Sequence, residues 1–326
     1  MTSAPGPVTR VSAGVVAYSD ADRLESAVRS IFAQELPPGA EWAGMTLVVS
    51  PSPDGTVEVA RRLAAEDARI HLSVEDRRRG KSAALREILV RAEGDVVLVM
   101  NGDARADRLA LAHLLSAARQ VPRPFAVMAR PVPEAAPSTP FDRAVALLWD
   151  VHDDFHRETL GNGTGSHLSD ELLLVSLDPP PILEEGIIND GAYLGEQILS
   201  RGGSLAYARE AVVGISTARS LREHLVQRRR IHLGHRQLSQ MTHAPPTTLL
   251  HWGARHPKEA VRLLWKRVRG HPHGVSAFLL LAMSELLAGV VASWAMIRGD
   301  PPPVLWERVR VGLGGSPVPV EDSAAG

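Results

Sequence analysis

The chain of 326 residues contains no cysteine, which excludes a disulfide framework, a thiolate metal site and a cysteine nucleophile. Aromatic residues make up only 4% of it, and few flank its basic runs. A nucleic-acid binder working by base stacking is therefore not expected. The first ten residues, MTSAPGPVTR, lack the charged-then-apolar layout of a signal peptide. With the missing cysteine, this predicts a cytoplasmic protein. No internal repeat is visible.

What is present is ordinary in amount and uneven in placement. A hydrophobic share of 44% and a charged share of 22% suit a folded globular chain and exclude a disordered one. Net charge is −1, yet residues 219–270 hold twelve Lys or Arg against two Glu, a balance of +10 that leaves −11 for the rest. That segment calls for an anionic partner: a diphosphate, lipid headgroups or nucleic acid.

Over the first 130 residues, strand and helix signals alternate. Apolar runs at 11–18, 45–50, 70–74 and 95–100 read as strands, and segments 22–34, 54–66 and 81–92 as helices. This pattern predicts an α/β fold with a mostly parallel sheet covered on both faces. Ligands of such sheets lie beyond the carboxyl ends of the strands, where Tyr18-Ser19-Asp20, Ser50, Glu75-Asp76 and Asn101-Gly102-Asp103 collect. Residues 131–140 read as a Pro-rich linker, 141–159 as a helix, 171–177 as a strand, 190–201 as a helix stopped by Gly202-Gly203, and 220–240 as a longer basic helix. Beyond residue 245 the character changes. Residues 257–269 form a basic amphipathic pattern, and 275–297 an apolar run with one charge, Glu285, at its middle. Residues 312–326 read as a frayed tail.

Each candidate group admits two readings. Asp103, at a strand end, suits a divalent cation bridging two phosphates, but Asn-Gly-Asp is also turn chemistry. Gly80-Lys81 at a helix start offers N–H groups and a cation to an anion, or is a solvated face. It is not a P-loop, because position 75 is Glu. Asp190 opens a helix either as its N-cap or as a general base. Gln227 and Arg230, three apart, share a helix face suited to a diphosphate, or to water. No set of histidines has the spacing of a zinc site; His232 and His235 lack a third ligand.

Taken in order, the motifs resemble the family-two glycosyltransferases of GT-A fold over residues 10–240. The matching segments are Val15-Val16-Ala17-Tyr18, Ser30-Ile31-Phe32-Ala33-Gln34, Ser52-Pro53-Asp54-Gly55-Thr56, Gly80-Lys81-Ser82-Ala83-Ala84-Leu85, Asn101-Gly102-Asp103, Asn189-Asp190 and Gln227-Arg228-Arg229-Arg230-Ile231. Four positions depart from the family pattern. Val49-Ser50 lack its acidic residue, Asn101 replaces the first Asp of its metal motif, Asn189 its Glu, and Ile231 its final aromatic. The segment around Leu305-Trp306-Glu307, after the hydrophobic helix, is similar to the tail of membrane-associated members.

The resemblance implies a GT-A-like fold with a C-terminal helical appendage. A flexible N-terminus would cover 1–10. The transferase domain would span 11–240, with a donor-binding half at 11–130 and an acceptor half at 141–240. A helical, membrane-associated region at 245–311 and a tail at 312–326 would follow. It implies inverting transfer of a sugar from a nucleotide-diphosphate donor to a hydroxyl acceptor. Asp190 would be the base, and Tyr18, Asp20, Ser50, Asp54, Lys81, Asn101, Gln227 and Arg230 the donor-binding residues. Asp103 would hold manganese or magnesium. The expected partners are the nucleotide sugar, the acceptor and an anionic membrane surface on its cytoplasmic face, with no nucleic acid. The competing readings are a non-catalytic GT-A-like scaffold at the membrane and a nucleotidyltransferase. The latter would want a Gly-rich loop where Tyr18-Ser19-Asp20-Ala21 stand.

Overall fold

Strand β1 (Thr9–Ala17) has neighbours on both edges and packing on both faces, so its middle and end, from Val11 to Ala17, are mostly apolar and buried. In the computed structural model, which describes residues 9–242, 246–271, 273–298 and 305, this strand lies near the middle of an eight-stranded sheet. The tail expected at 312–326 lies outside the described residues. In chain order β1 is followed by α1 (Leu24–Phe32), β2 (Ala40–Val49), α2 (Thr56–Glu66), β3 (Ile70–Val74), α3 (Lys81–Arg91), β4 (Val96–Asn101), β5 (Arg105–Ala106), α4 (Ala110–Ala118) and β6 (Phe125–Pro133). Then come α5 (Pro140–Gly161), β7 (Leu172–Ser176), α6 (Asp190–Leu199), β8 (Ser204–Ile215) and four helices, α7 (Leu221–Thr242), α8 (Leu249–Arg255), α9 (Pro257–Gly270) and α10 (Gly274–Ile297).

The strand order is β3-β2-β1-β4-β7-β6-β8-β5. Pairs β1–β2, β1–β4, β2–β3 and β6–β8 are parallel, so the mostly parallel α/β sheet expected from the sequence is present. Strand β7 is the exception within the sheet body, running antiparallel to both β4 and β6. Three strands had no counterpart in the sequence reading: the two-residue β5, β6 and β8. The expected linker at 131–140 is corrected accordingly: β6 continues through Pro131 and Pro133. Those prolines are tolerated because β7 pairs only with Ala126, Val127 and Met128, leaving the end of β6 with one ladder neighbour, β8. Helix α5 then starts at a capping box, in which Thr139 accepts from Asp142 N and the Asp142 carboxylate accepts from Thr139 N, with Pro140 in the first turn.

One apolar cluster fills the side of the sheet under α1, α2 and α4, and a second lies between its other face and α3 and α6. A third joins Leu147, Val151 and Phe155 of α5 to Trp252, Leu263 and Leu281. The C-terminal helices thus pack on the main body through their inner faces. Arg267 is part of that seam: its guanidinium bonds Asp154 at 2.6 and 2.9 Å, so it belongs to the core side of α9, while Arg262, Lys266 and Arg269 stay exposed. Glu285 is likewise turned inward, onto α7.

Candidate active site

The carboxyl ends of β1, β2 and β4, the start of α3, the middle of α7 and the end of β8 enclose one cleft. Tyr18, Asp20, Ser50, Arg78, Gly80, Lys81, Asn101, Gly102, Asp103, Glu171, Ser216, Gln227 and Arg230 line it. Eight of the ten residues expected from the sequence are therefore brought together. After β1 the backbone turns through Ser19 at φ 61, and the Asp20 carboxylate accepts Tyr18 N at 3.0 Å. Gly102 bonds its N–H to Val16 O at 2.8 Å. A Cβ there would lie 2.8 Å from Asp20 Oδ2 and 2.9 Å from Ala17 Cβ, so this close approach of β4 to the β1 loop requires glycine.

Asp54 lies outside that lining. Its carboxylate accepts from the hydroxyls of Ser52 and Thr56 and from Ala21 N, at 2.7, 2.6 and 3.1 Å. Burial pushes its pKa up, but these donors outweigh it and hold the carboxyl well below the usual range. Asp54 braces the two loops that carry Asp20 and Ser50. Ser50 itself donates to Glu75 Oε2 at 2.5 Å, and Arg79 lies 3.1 Å from the same carboxylate's Oε1. A buried acid from β3 thus stands behind Ser50. On the opposite side of the loop the Arg78 guanidinium stacks 3.6 Å over the Tyr18 ring.

Asp190 is settled as a first-turn residue and not a cap. The cap of α6 is Asn189, whose Oδ1 accepts Ala192 N at 3.3 Å. Asp190, like Asp54, lies outside the lining: its carboxyl is buried beside Lys81, which does line the cleft, with Oδ2 3.5 Å from Nζ. Lys81 lies closer to Asp170, at 2.5 Å, so its ammonium is held by two carboxylates. Burial works against that charge, yet Asp170 and Asp190 more than compensate and keep Lys81 protonated well above its ordinary value. Burial and then the charge of Asp170 push Asp190 up to about 7, against the opposing pull of Lys81 and Arg230. Asp170 goes the other way: burial raises it, and Lys81 more than reverses that.

Helix α7 is tied to this corner. Arg230 Nη2 donates to Ile188 O at 2.9 Å. Gln237 accepts from Ile188 N and donates to Gly186 O, both at 2.9 Å. A Cβ on Gly234 would lie 2.9 Å from Asn189 Cβ, so the helix touches the residue that caps α6.

Asp170 and Glu171 were missed as site residues. Strand β7 runs opposite to β4, so its first residues, not its last, reach the ligand edge. Glu171 Oε2 accepts from Asn101 Nδ2 at 2.7 Å. A second feature with no sequence signal is a buried row of histidines. His167 and His235 meet Nε2 to Nε2 at 3.4 Å, and His156 stacks on His167 with ring centroids 6.0 Å apart. Burial and then the neighbouring cations lower His235, and burial lowers His167 to about 4, so both rings are neutral packing partners near pH 7.

Among the described residues no three His, Cys, Asp or Glu side chains converge on a point that could hold a metal ion. The donor set fits a divalent cation only in part. Asp103 and Glu171 both face the cleft, and oxygen ligands of this kind suit magnesium or manganese when substrate phosphates complete the shell.

Residues 12–155 match the family model described as Glycosyl transferase family 2. The match covers less than half the chain and includes the strand ends that carry Tyr18, Ser50 and Asp103. No curated protein matches. Among solved structures, the chain is similar to the mannosyltransferase PcManGT from Pyrobaculum calidifontis in complex with GDP-Man and Mn2+. The identity is 20%, with 90% of this chain and 82% of that one covered and a TM-score of 0.54. Another similar structure is S. aureus TarS 1–349 in complex with UDP-GlcNAc, at 12% identity, 89% and 92% coverage and a TM-score of 0.45. The first likeness extends the shared fold well beyond residue 155, into the part that holds Asp190 and Arg230.

Proposed function

We propose that the cleft transfers a sugar, with inversion, from a nucleotide-diphosphate donor to a hydroxyl acceptor. The observation that carries this reading is convergence. Residues as far apart in sequence as Tyr18 after β1 and Arg230 on α7 face one cleft, and a buried carboxyl of raised proton affinity, Asp190, lies beside its Lys81. In the proposed step the acceptor O–H bond breaks and its proton goes to Asp190. The acceptor oxygen forms a bond to the anomeric carbon, and the bond from that carbon to the diphosphate oxygen breaks with its electron pair staying on the nucleoside diphosphate. Arg230 and Gln227 stand where they can meet the leaving group. A divalent metal held through Asp103 would neutralise charge on the diphosphate when bound. Because the Lys81 ammonium is held by Asp170 and Asp190, its part in this reading is to keep that carboxyl pair in place, not to bind phosphate.

The Asp190 carboxyl sits beside Lys81, with Oδ2 3.5 Å from Nζ, and Lys81 lines the cleft that the acceptor would enter. A carboxyl near pH 7 is also well matched to general-base work. Incubation with a panel of UDP-, GDP- and TDP-sugars, with and without manganese, tests the reading through release of nucleoside diphosphate. Binding of a donor with no release under any acceptor would favour the non-catalytic scaffold instead.

The same reading extends to a location on the cytoplasmic face of a membrane. Helix α10 is the one described helix long and apolar enough to span, but 28% of its most apolar stretch is buried against the protein. Its outward stripe, Val275, Leu279, Met283, Leu286, Val290, Trp294 and Ile297, is exposed, as are Val261 and Trp265 of α9 beside Arg262, Lys266 and Arg269. Apolar side chains interleaved with cations favour an anionic lipid surface. In flotation, binding to anionic but not neutral vesicles and release by high salt are expected. Retention after carbonate would mean a true span.

A further inference from the structure

The residue at position 101 is an amide where the resemblance has a carboxylate, and the structure shows what faces it. Strands β4 and β7 run antiparallel, with Met100 opposite Leu172, so Glu171 stands directly across from Asn101. Their backbones bond, Asn101 N to Glu171 O at 3.4 Å, and the Asn101 amide donates to Glu171 Oε2 at 2.7 Å. The second carboxylate oxygen, Oε1, has no hydrogen bond of its own among the described residues. Glu171 lines the same cleft as Asp103, and the negative charge of Asp103 is felt at its carboxyl. An aspartate at 101 would set two carboxylates at hydrogen-bond distance beside Asp170 and Asp103, a crowding of like charge that an amide avoids.

We propose that Glu171 supplies the metal carboxylate that Asn101 lacks, so that a divalent cation is held between Asp103, Glu171 and the donor diphosphate. The proposal rests on the nucleotide-sugar reading above. It names a ligand that arrives from the neighbouring strand and not from the strand end itself. Asn101 becomes a positioning residue: its amide, already donating to Oε2, aims Oε1 at the cation. Two carboxylates completed by phosphate oxygens are a usual way for magnesium-type cations to be bound.

The test is a manganese titration of the full chain followed by the electron paramagnetic resonance signal of free aquo-Mn2+, with UDP, GDP or TDP present at saturation. Wild type should bind one Mn2+ only when a diphosphate is present. Glu171→Gln should weaken that binding by about tenfold or more. The double variant Asn101→Asp, Glu171→Gln restores the carboxylate count with the hydrogen bond reversed, and should recover Mn2+ binding to within a few-fold. This recovery also guards against a folding defect in the single variant, which circular dichroism would report. Diphosphate binding by wild type with Mn2+ affinity unchanged in Glu171→Gln overturns the role of Glu171 alone. Failure of wild type to bind any of the three diphosphates overturns the donor reading, and this inference with it.

Discussion

Arg228 Nε lies 2.6 Å from Glu285 Oε1, joining the arginine cluster of α7 to the middle of α10. His224 and His232 flank the same carboxylate at 3.6 and 3.7 Å. The lone acid of the apolar run is thus a buried partner of the motif helix. Burial raises its pKa, but the flanking histidines and Arg228 more than reverse that and hold it low.

Glu285→Gln should therefore loosen the C-terminal helices. With Arg228 left without its counter-charge, chemical denaturation is expected to show a loss of about 1–3 kcal/mol, the range for a hydrogen bond to a charged group. An unchanged midpoint would mean that α10 is held by the apolar seam with α5 alone.

Asp190→Asn should keep the shape of the carboxyl but remove its proton acceptor. Transfer is expected to fall by about 10²–10⁴-fold, the usual worth of a general base, with donor affinity by calorimetry little altered. Retention of more than about a tenth of the wild-type rate would remove Asp190 from the chemistry.

The raised Asp190 carboxyl predicts two opposite pH trends. The kcat/KM should climb from pH 6 to pH 8 as the base, about 7 in the folded chain, loses its proton. Stability runs the other way. The folded pKa lies above the unfolded value, so the stabilisation is complete below the unfolded pKa and is lost as pH rises through about 7. The fall in Tm between pH 6 and 8 should flatten in Asp190→Asn.

Lys81→Met tests the cation at the centre of the pair. Removing an ammonium 2.5 Å from Asp170 leaves buried carboxylates uncompensated, a change that typically costs about 3–5 kcal/mol. The variant should unfold at markedly lower denaturant. A Tm close to wild type would show that the carboxyls are relieved by protonation instead.

Much of this was legible in the sequence because period and punctuation agree in the first half. Strands β1 to β4 are short apolar runs bounded by turn residues, so Tyr18, Ser50 and Asp103 could be set at one edge. Strand β8 was not legible, because the exposed Arg209 and Glu210 interrupt its alternation at the register shift opposite Ala129 and Arg130. Asp170 and Glu171 escaped for a directional reason: a reversed strand brings its beginning, not its end, to the ligand edge. Asp54 has the spacing of a ligand, yet its carboxylate accepts from Ser52, Thr56 and Ala21 N and braces the two loops. Nothing local to Glu285 announces a partner 57 positions earlier.

Three contacts bind α7 to the turn before α6: Arg230 to Ile188, Gln237 to both Ile188 and Gly186, and Gly234 pressed on Asn189. Arg230 and Asp190 are consequently carried by elements that move as one body. Any opening that admits a bulky donor has to come from the opposite wall, where Arg78 rests on Tyr18. Widening the cleft there would leave the spacing of Arg230 and Asp190 unchanged.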